Sequence, residues 1–296
     1  MRVSIIKYAV NEVSEYINWL YFFHAWGFAP CFATIAQVHD CYACQTAWIK
    51  SFPIDDQAKA KEALKLMKDA KEILADLDSQ LICQAIFKLF DAYSKGDDLL
   101  IGDTIFPLLR QQYEHNTGNF YLCLSDFVRP FRSGMKDKAG VFAASVDDKS
   151  LTTTNDSYRK LLIQTISDRL VEASVEKMHL SVRRKIWGYA PNESLSINEL
   201  LQGKYQGIRP AVGYPSLPDQ SVNFIIDQLI NLRQIGITLT ENGAMNPHAS
   251  VSGLMLAHPQ ACYFTVGKIG EDQLKDYSQR RGLPVETMRK FLSANL

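Results

Sequence analysis

The chain has 296 residues, of which 47% are hydrophobic, so it can bury a substantial core. Its 32 basic and 32 acidic side chains cancel to a formal net charge of zero, which provides no electrostatic surface for DNA or RNA. Six scattered cysteines do not indicate a disulfide scaffold, and Glu12 and Glu15 stand where a secretory signal would need basic and apolar residues. We therefore expect a cytoplasmic protein that binds no nucleic acid.

The first predicted element is a helix over residues 11–26, with Asn11 as its cap. It overlaps residues 19–36, which carry no formal charge and are long enough to be weighed as a membrane span. Gly27 and Pro30 interrupt this stretch, and aromatic residues fill its first half instead of forming belts at its two ends. A buried amphipathic helix followed by a loop is favoured, and a membrane-anchored protein is the alternative.

The middle of the chain changes from helical to strand periodicity. Helical spacing of apolar residues predicts a helix over 57–77. Residues 82–90 and 99–101 are then typical of two strands joined by the turn at 94–98. Further strand candidates are 121–128 and 140–146.

The second half begins with a long predicted helix, which Asn155 and Asp156 cap and which extends towards Trp187. Later predicted elements are a capping box at Ser196 and Glu199, a helix over 219–235, a strand pair at 250–257 and 263–269, and helices over 271–281 and 285–294. Because strands and helices do not alternate strictly, we expect an α+β fold. It would be a single mixed domain over residues 1–296, with a largely antiparallel twisted sheet and flanking helices.

Metal sites, redox pairs and several classes of enzyme active site have characteristic residue spacings that a sequence can show. The motif Cys41-Tyr-Ala-Cys44 suits a redox pair or half a zinc site, but no second matched pair completes a structural zinc site. Small buried thiols are the favoured interpretation, and no metal site is predicted. The Gly-rich loops of nucleotide-binding enzymes and the serine elbow of hydrolases do not occur. No catalytic residue is therefore predicted.

One stretch concentrates prolines, glycines and aromatic residues, in residues 187–193 and 205–215. Proline fixes φ and glycine permits close backbone approach, so such a loop presents its backbone groups in a fixed array. Arg209 adds a planar fork suited to a carboxylate, and nearby tyrosines are suitable walls for a heteroaromatic ring. An ordered structural turn with a surface arginine explains the same residues equally well.

This stretch resembles the signature of a known family, the S-adenosylmethionine-binding activation domain of cobalamin-dependent methionine synthase. The core of that signature is Arg-x-x-x-Gly-Tyr, which Arg209, Gly213 and Tyr214 fill. The resemblance extends along most of the chain. Further matching segments are Tyr16–Trp19, Leu109–Gln112, Leu124–Val128, Asp168–Leu170 with Glu172, and Ala249–Gly253 leading to His258 and Pro259.

The resemblance implies a set of ligand-binding residues. Arg209 would hold the methionine carboxylate of S-adenosylmethionine, the following backbone would line its adenosyl group, and Glu172 would lie near its cationic end. The implied ligand-binding residues are Asn18, Glu172, Arg209, Pro210, Ala211, Gly213, Tyr214, Tyr263 and Phe264.

Two of these positions depart from the family pattern. Asn18 stands where the family usually has aspartate, and Phe264 where it commonly has tyrosine. Loss of a charge-assisted bond at position 18 would weaken ligand binding by about 1–3 kcal/mol.

The resemblance also implies a reaction. Such a domain serves the reductive methylation, and thereby the reactivation, of cob(II)alamin. Cobalamin would be held by a partner module or corrinoid protein, and a flavodoxin-like donor would supply the electron. Homocysteine, folate and cobalamin modules are not recognised in these residues, and the start at Met1 favours a separately encoded subunit of a split enzyme. The alternative is a docking or regulatory module that has lost S-adenosylmethionine binding.

Overall fold

An antiparallel sheet forms the framework of the fold. It is seen in a computed structural model that describes residues 2–112 and 121–296. The strands are β1 (Ser4–Ala9), β2 (Ile82–Lys95), β3 (Asp98–Ile101), β4 (Thr104–Pro107), β5 (Asp137–Val146), the separate pair β6 (Thr238–Leu239) and β7 (Met245–Asn246), and β8 (Ser250–Met255). In the main sheet, five strands follow the order β4-β3-β2-β5-β8, and β1 also pairs with β2.

The long strand β2 organises the sheet, because one of its edges pairs first with β1 and then with β3, while the other pairs with β5. Side chains alternate between its faces. Phe87 lies opposite Phe142 in one core cluster, whereas Ile86 lies opposite Ala143 in another. Both faces of the sheet are therefore covered, as the apolar composition of these strands requires.

Helices supply these covering layers. The helices are α1 (Val10–Val13), α2 (Trp19–Ala25), α3 (Tyr42–Lys50), α4 (Gln57–Asp78), α5 (Ser157–Ser181), α6 (Ile197–Leu201), α7 (Asn223–Ile230), α8 (Glu271–Arg281) and α9 (Val285–Phe291). Helices α4 and α5 contribute to the core on one face of the sheet, and α7 to the core on the other. Helices α8 and α9 form a third, smaller cluster near the carboxyl terminus.

The α+β fold class is confirmed, and several predicted elements are found. Helix α4 begins at Gln57, as predicted. Asp156 caps α5 by accepting hydrogen bonds from the backbone amides of Tyr158 and Arg159. The helix ends at Ser181 and continues as a π-helical segment, Val182–Ile186, so the regular helix stops short of Trp187.

The predicted helix over residues 11–26 is wrong, because this segment is divided. Strand β1 and the short helix α1 precede a 3₁₀ turn, and the chain becomes extended at Ile17 and Asn18 before α2 begins. The Oδ1 atom of Asn18 accepts a hydrogen bond from the backbone amide of Leu20 at 3.1 Å. A polar cap of this kind starts a new helix rather than continuing an old one.

Two predicted strands are also wrong. The only regular element within 121–128 is a 3₁₀ turn, Leu124–Phe127, because the Asp126 carboxylate accepts the backbone amide hydrogen of Cys123 and closes the turn. Residues 263–269 have no regular secondary structure and do not pair with β8. The predicted helix over 219–235 is interrupted at Asn231, where φ is +53°.

The uncharged stretch at 19–36 does not form one long helix. Helix α2 ends at Ala25, and a 3₁₀ segment covers Pro30–Gln37. Within residues 2–112 and 121–296, no helix has both the length and the apolar character needed to cross a membrane. Helix α3, which follows, was not predicted from the sequence.

Candidate functional site

The main candidate site is a groove of about 840 Å³, which is a suitable size for a small-molecule ligand. It is bordered by residues around α2, by the middle of α5, by the end of α6 and by the loop that leads to Ser216. Its lining includes Asn18, Glu172, Glu176, Tyr205, Arg209, Pro210, Ala211, Tyr214, Tyr263 and Phe264.

The proline-rich loop is held against β8 like an additional strand. The backbones of Ile208 and Leu256 exchange two hydrogen bonds, at 2.9 and 3.0 Å. Further along, the carbonyl oxygen of Pro210 accepts the amide hydrogen of Leu254 at 3.0 Å, and Val212 donates to the carbonyl of Ser252 at 2.9 Å. Arg209 and Ala211 are two residues apart on this extended segment, so their side chains point the same way, and both line the groove.

Glycine at two positions makes this arrangement possible. A Cβ atom on Gly253 would lie 2.1 Å from the carbonyl oxygen of Pro210, so the loop reaches β8 only because that side chain is missing. Gly213 has φ +88° and donates its amide hydrogen to the carbonyl of Leu217, which closes the end of the loop. The backbone of the signature is thus fixed by its own hydrogen bonds.

Arg209 places a largely buried positive charge in the groove. Its Nη1 atom lies 3.1 Å from Oε2 of Glu176, and the two side chains are only 12% and 7% exposed. Burial alone would lower the pKa of Arg209, but the nearby carboxylates, first Glu176, raise it instead. The guanidinium therefore stays charged, and its remaining N–H groups can receive an anion.

A second buried arginine supports this ion pair from behind. Arg183 is fully buried, donates two hydrogen bonds to the Glu193 carboxylate at 2.9 and 2.8 Å, and lies 4.0 Å from Glu176. His179 contacts the same guanidinium at 2.8 Å, and burial lowers its pKa well below the usual value. The guanidinium carbon also lies 3.9 Å from the centre of the Tyr205 ring.

Sequence reasoning assigned no role to Glu176, Arg183 or His179. One signal was present, since Glu172 and Glu176 are four residues apart and lie on the same face of α5. Glu193 lies within the unusual stretch at 187–193, but its partner is ten residues earlier in the chain and is recognisable only in the fold.

Two tyrosines of the groove are more exposed than Arg209. Tyr214 donates its hydroxyl hydrogen to Glu172 at 3.0 Å, and that carboxylate, aided by burial, raises the pKa of Tyr214 to about 12. The Tyr263 hydroxyl oxygen accepts the backbone amide hydrogen of Arg209 at 2.9 Å. Tyr214 and Tyr263 are 52% and 53% exposed, so their rings are available to a ligand. Phe264 is partly buried against two core clusters.

The structure thus brings eight of the nine predicted binding residues to one groove. Gly213, the ninth, is not among the lining residues, although it shapes the loop beside them. The roles of these nine residues in ligand binding stay predictions. The expectation of buried thiols at Cys41 and Cys44 is wrong, since both are exposed and lie outside the groove.

Comparison with known proteins gives this groove a context. The sequence profile of the family "Vitamin B12 dependent methionine synthase, activation domain" matches residues 9–282. The chain belongs to this family. The activation domain described here is also similar to a crystal structure of the MetH reactivation domain bound to AdoHcy, with 34% sequence identity and a TM-score of 0.86. That match covers 100% of this chain and 90% of the other, so the resemblance inferred from the signature is confirmed along the whole fold.

Proposed function

We propose that this activation domain binds S-adenosylmethionine in the groove and positions it for the reductive methylation of cob(II)alamin carried by another module. The observation that supports this most strongly is Arg209, a largely buried cation that lines the groove and pairs with Glu176. The similarity to a relative that was crystallised with AdoHcy points to the same class of ligand.

The groove offers partners for each part of such a ligand. Arg209 suits the amino-acid carboxylate, because a buried guanidinium forms strong charge-assisted hydrogen bonds. Glu172 supplies a negative charge for the ammonium or sulfonium group, and it lies close to Tyr214. Tyr214 and Tyr263 offer exposed rings for the adenine.

When bound, S-adenosylmethionine would supply an electrophilic methyl group. The task of this chain is then to hold the ligand in one orientation, which by itself accelerates transfer between two partners. The rigid pairing of the loop with β8 suits that task. In this proposal no side chain of the groove acts as an acid, a base or a nucleophile.

Two partners complete the proposed reaction. A cobalamin-binding module, as the family name implies, would dock over the groove, and a flavodoxin-like donor would supply the electron. We propose that this chain is one subunit of a split enzyme in the cytoplasm. The six cysteines are free, as the reducing cytoplasm requires.

Titration calorimetry followed by reconstitution tests the proposal. We expect the chain to bind one equivalent of S-adenosylmethionine. Mixed with a cobalamin-binding module in the cob(II)alamin state and a one-electron reductant, it should transfer a radiolabelled methyl group from the ligand to the corrinoid. Omission of the chain or of the reductant should abolish the transfer.

A second candidate function rests on Asn18. This residue already acts as a helix cap, which is a structural role that needs no ligand. If the calorimeter detects no S-adenosylmethionine binding while the chain still associates with the cobalamin module, the chain is a docking or regulatory module that has lost the ligand.

A further inference from the structure

Three side chains of metal-ligating types lie close together at the start of α3, outside the groove. His39, Cys41 and Cys44 are all exposed, and their potential ligand atoms lie within 4.8 Å of one another. None of the three lines the groove. The sequence alone showed only the two cysteines as a pair, because the contribution of the histidine depends on how the chain turns into the helix.

Local hydrogen bonds hold the three side chains together. Cys41 is the N-cap of α3, and its Sγ atom accepts the backbone amide hydrogen of Cys44 at 3.4 Å. The Nδ1 atom of His39 accepts the amide hydrogen of Cys41 at 3.2 Å. Nδ1 therefore carries a lone pair, which is the form in which an imidazole binds a metal ion. A metal ion at Nδ1 would replace this long backbone bond.

The neighbouring carboxylate is already engaged. Asp40 accepts two hydrogen bonds from the Lys71 ammonium group, at 2.7 and 2.9 Å, which leaves two sulfur atoms and one nitrogen as the donor set. Such a set favours zinc over magnesium or calcium, which prefer oxygen.

The spacing also suits zinc. Ligand atoms around a tetrahedral zinc ion lie about 3.5–3.8 Å apart, given zinc–ligand distances of about 2.0–2.3 Å. Exposed side chains such as these can close the remaining gap by small rotations.

We propose that His39, Cys41 and Cys44 bind one Zn²⁺ ion, with the fourth coordination position open to water or to a ligand from outside the chain. Both sulfur atoms bind the ion as thiolates, so any proton still on either thiol is released to solvent and no electron is transferred. Three protein ligands with one open position are typical of zinc sites at which an outside ligand can bind.

Titration of the full chain with Co²⁺, and then with Zn²⁺, in reducing buffer tests this proposal. One equivalent of Co²⁺ should produce a thiolate-to-cobalt charge-transfer band and the intense visible bands of tetrahedral cobalt, and Zn²⁺ should displace it. Cys41→Ser and Cys44→Ser should each reduce the charge-transfer band to half or less, because each leaves only one thiolate. His39→Asn should weaken Zn²⁺ binding at least about tenfold.

Cys262→Ser is the matched control, because Cys262 is also exposed but does not belong to the cluster. It should bind Co²⁺ as the unmodified chain does. Two results would overturn the proposal: no band in the unmodified chain, or a full band in Cys41→Ser and Cys44→Ser.

Discussion

The two sides of the groove are built in different ways. On the inner side, Glu176 and Arg209 of the groove and Arg183 and Glu193 behind them are between 0% and 12% exposed and form one chain of ionic contacts. On the outer side, Tyr214 and Tyr263 are about half exposed, and each makes its hydrogen bond to a neighbouring element. Under the proposed function, the inner side would fix where a ligand's charge binds, and the outer side would adjust how tightly the ligand is held.

The largest expected effect concerns the inner side. Glu193→Gln takes the carboxylate from a fully buried Arg183, so we expect a loss of about 3–5 kcal/mol in the free energy of unfolding, measured by denaturant titration. Glu271→Gln is the matched control, because Glu271 makes a similar two-bond pair with Arg289 on the surface. That variant should be almost unchanged, and equal losses in both would contradict the inner-side account.

A smaller loss is expected where the loop meets β8. Gly253→Ala would push a methyl group into the carbonyl oxygen of Pro210, so the loop must move. We expect a loss of about 1–3 kcal/mol in stability, together with weaker S-adenosylmethionine binding in calorimetry. In the control Gly270→Ala the added group meets mainly the carboxylate of Asp272, which can rotate away. Normal ligand affinity in Gly253→Ala would show that the loop position is unimportant.

The inner side should also give the protein a pH dependence. Burial depresses the pKa of His179 below its ordinary 6.5, so below that pH the unfolded chain binds a proton that the folded chain does not. Stability therefore falls as pH drops below about 6.5, by about 1.4 kcal/mol per pH unit from this residue until its folded pKa is reached. His179→Gln should remove this contribution, as the difference between the two unfolding profiles will show. Parallel profiles would contradict it.

The smallest effect is expected at Asn18, which lines the groove. Asn18→Asp keeps an oxygen that can cap α2 and adds a negative charge to the groove, so S-adenosylmethionine should bind about 1 kcal/mol more tightly in calorimetry. Asn18→Ala is the control, since it loses the cap without adding charge. Weaker binding to a folded Asn18→Asp chain would mean that the groove has been rebuilt around the amide.

Much of the fold could be predicted from local sequence signals. The apolar spacing of α4 and the cap of α5 at Asp156 are local features, and both gave correct helix starts. The segment at 263–269 has the composition of a strand, but the residues that pair with β8 there come from the loop at 208–212. The amino-acid composition of these segments could not show that the missing side chain of Gly253 leaves room for this loop beside β8.

In the candidate site, too, some features could be predicted from local sequence and others only from the fold. The signature motif identified Arg209 and Tyr214, because the residue types and their spacing carry the information. The ionic contacts behind them could not be predicted, since Glu176 and Arg183 gain their meaning only when α5 and the loop pack together. Likewise, exposure of the Cys41 thiol follows from how α3 packs, not from its sequence.

The most direct test of the groove compares S-adenosylmethionine with its decarboxylated analogue by titration calorimetry. If Arg209 binds the carboxylate, the unmodified chain should prefer S-adenosylmethionine by about 2–4 kcal/mol, and Arg209→Ala should lose nearly all of that preference. Both ligands are measured on the same variant, so any loss of stability from the unpaired Glu176 cancels in the comparison. Equal binding of the two ligands by the unmodified chain would contradict the assignment of Arg209 to the carboxylate.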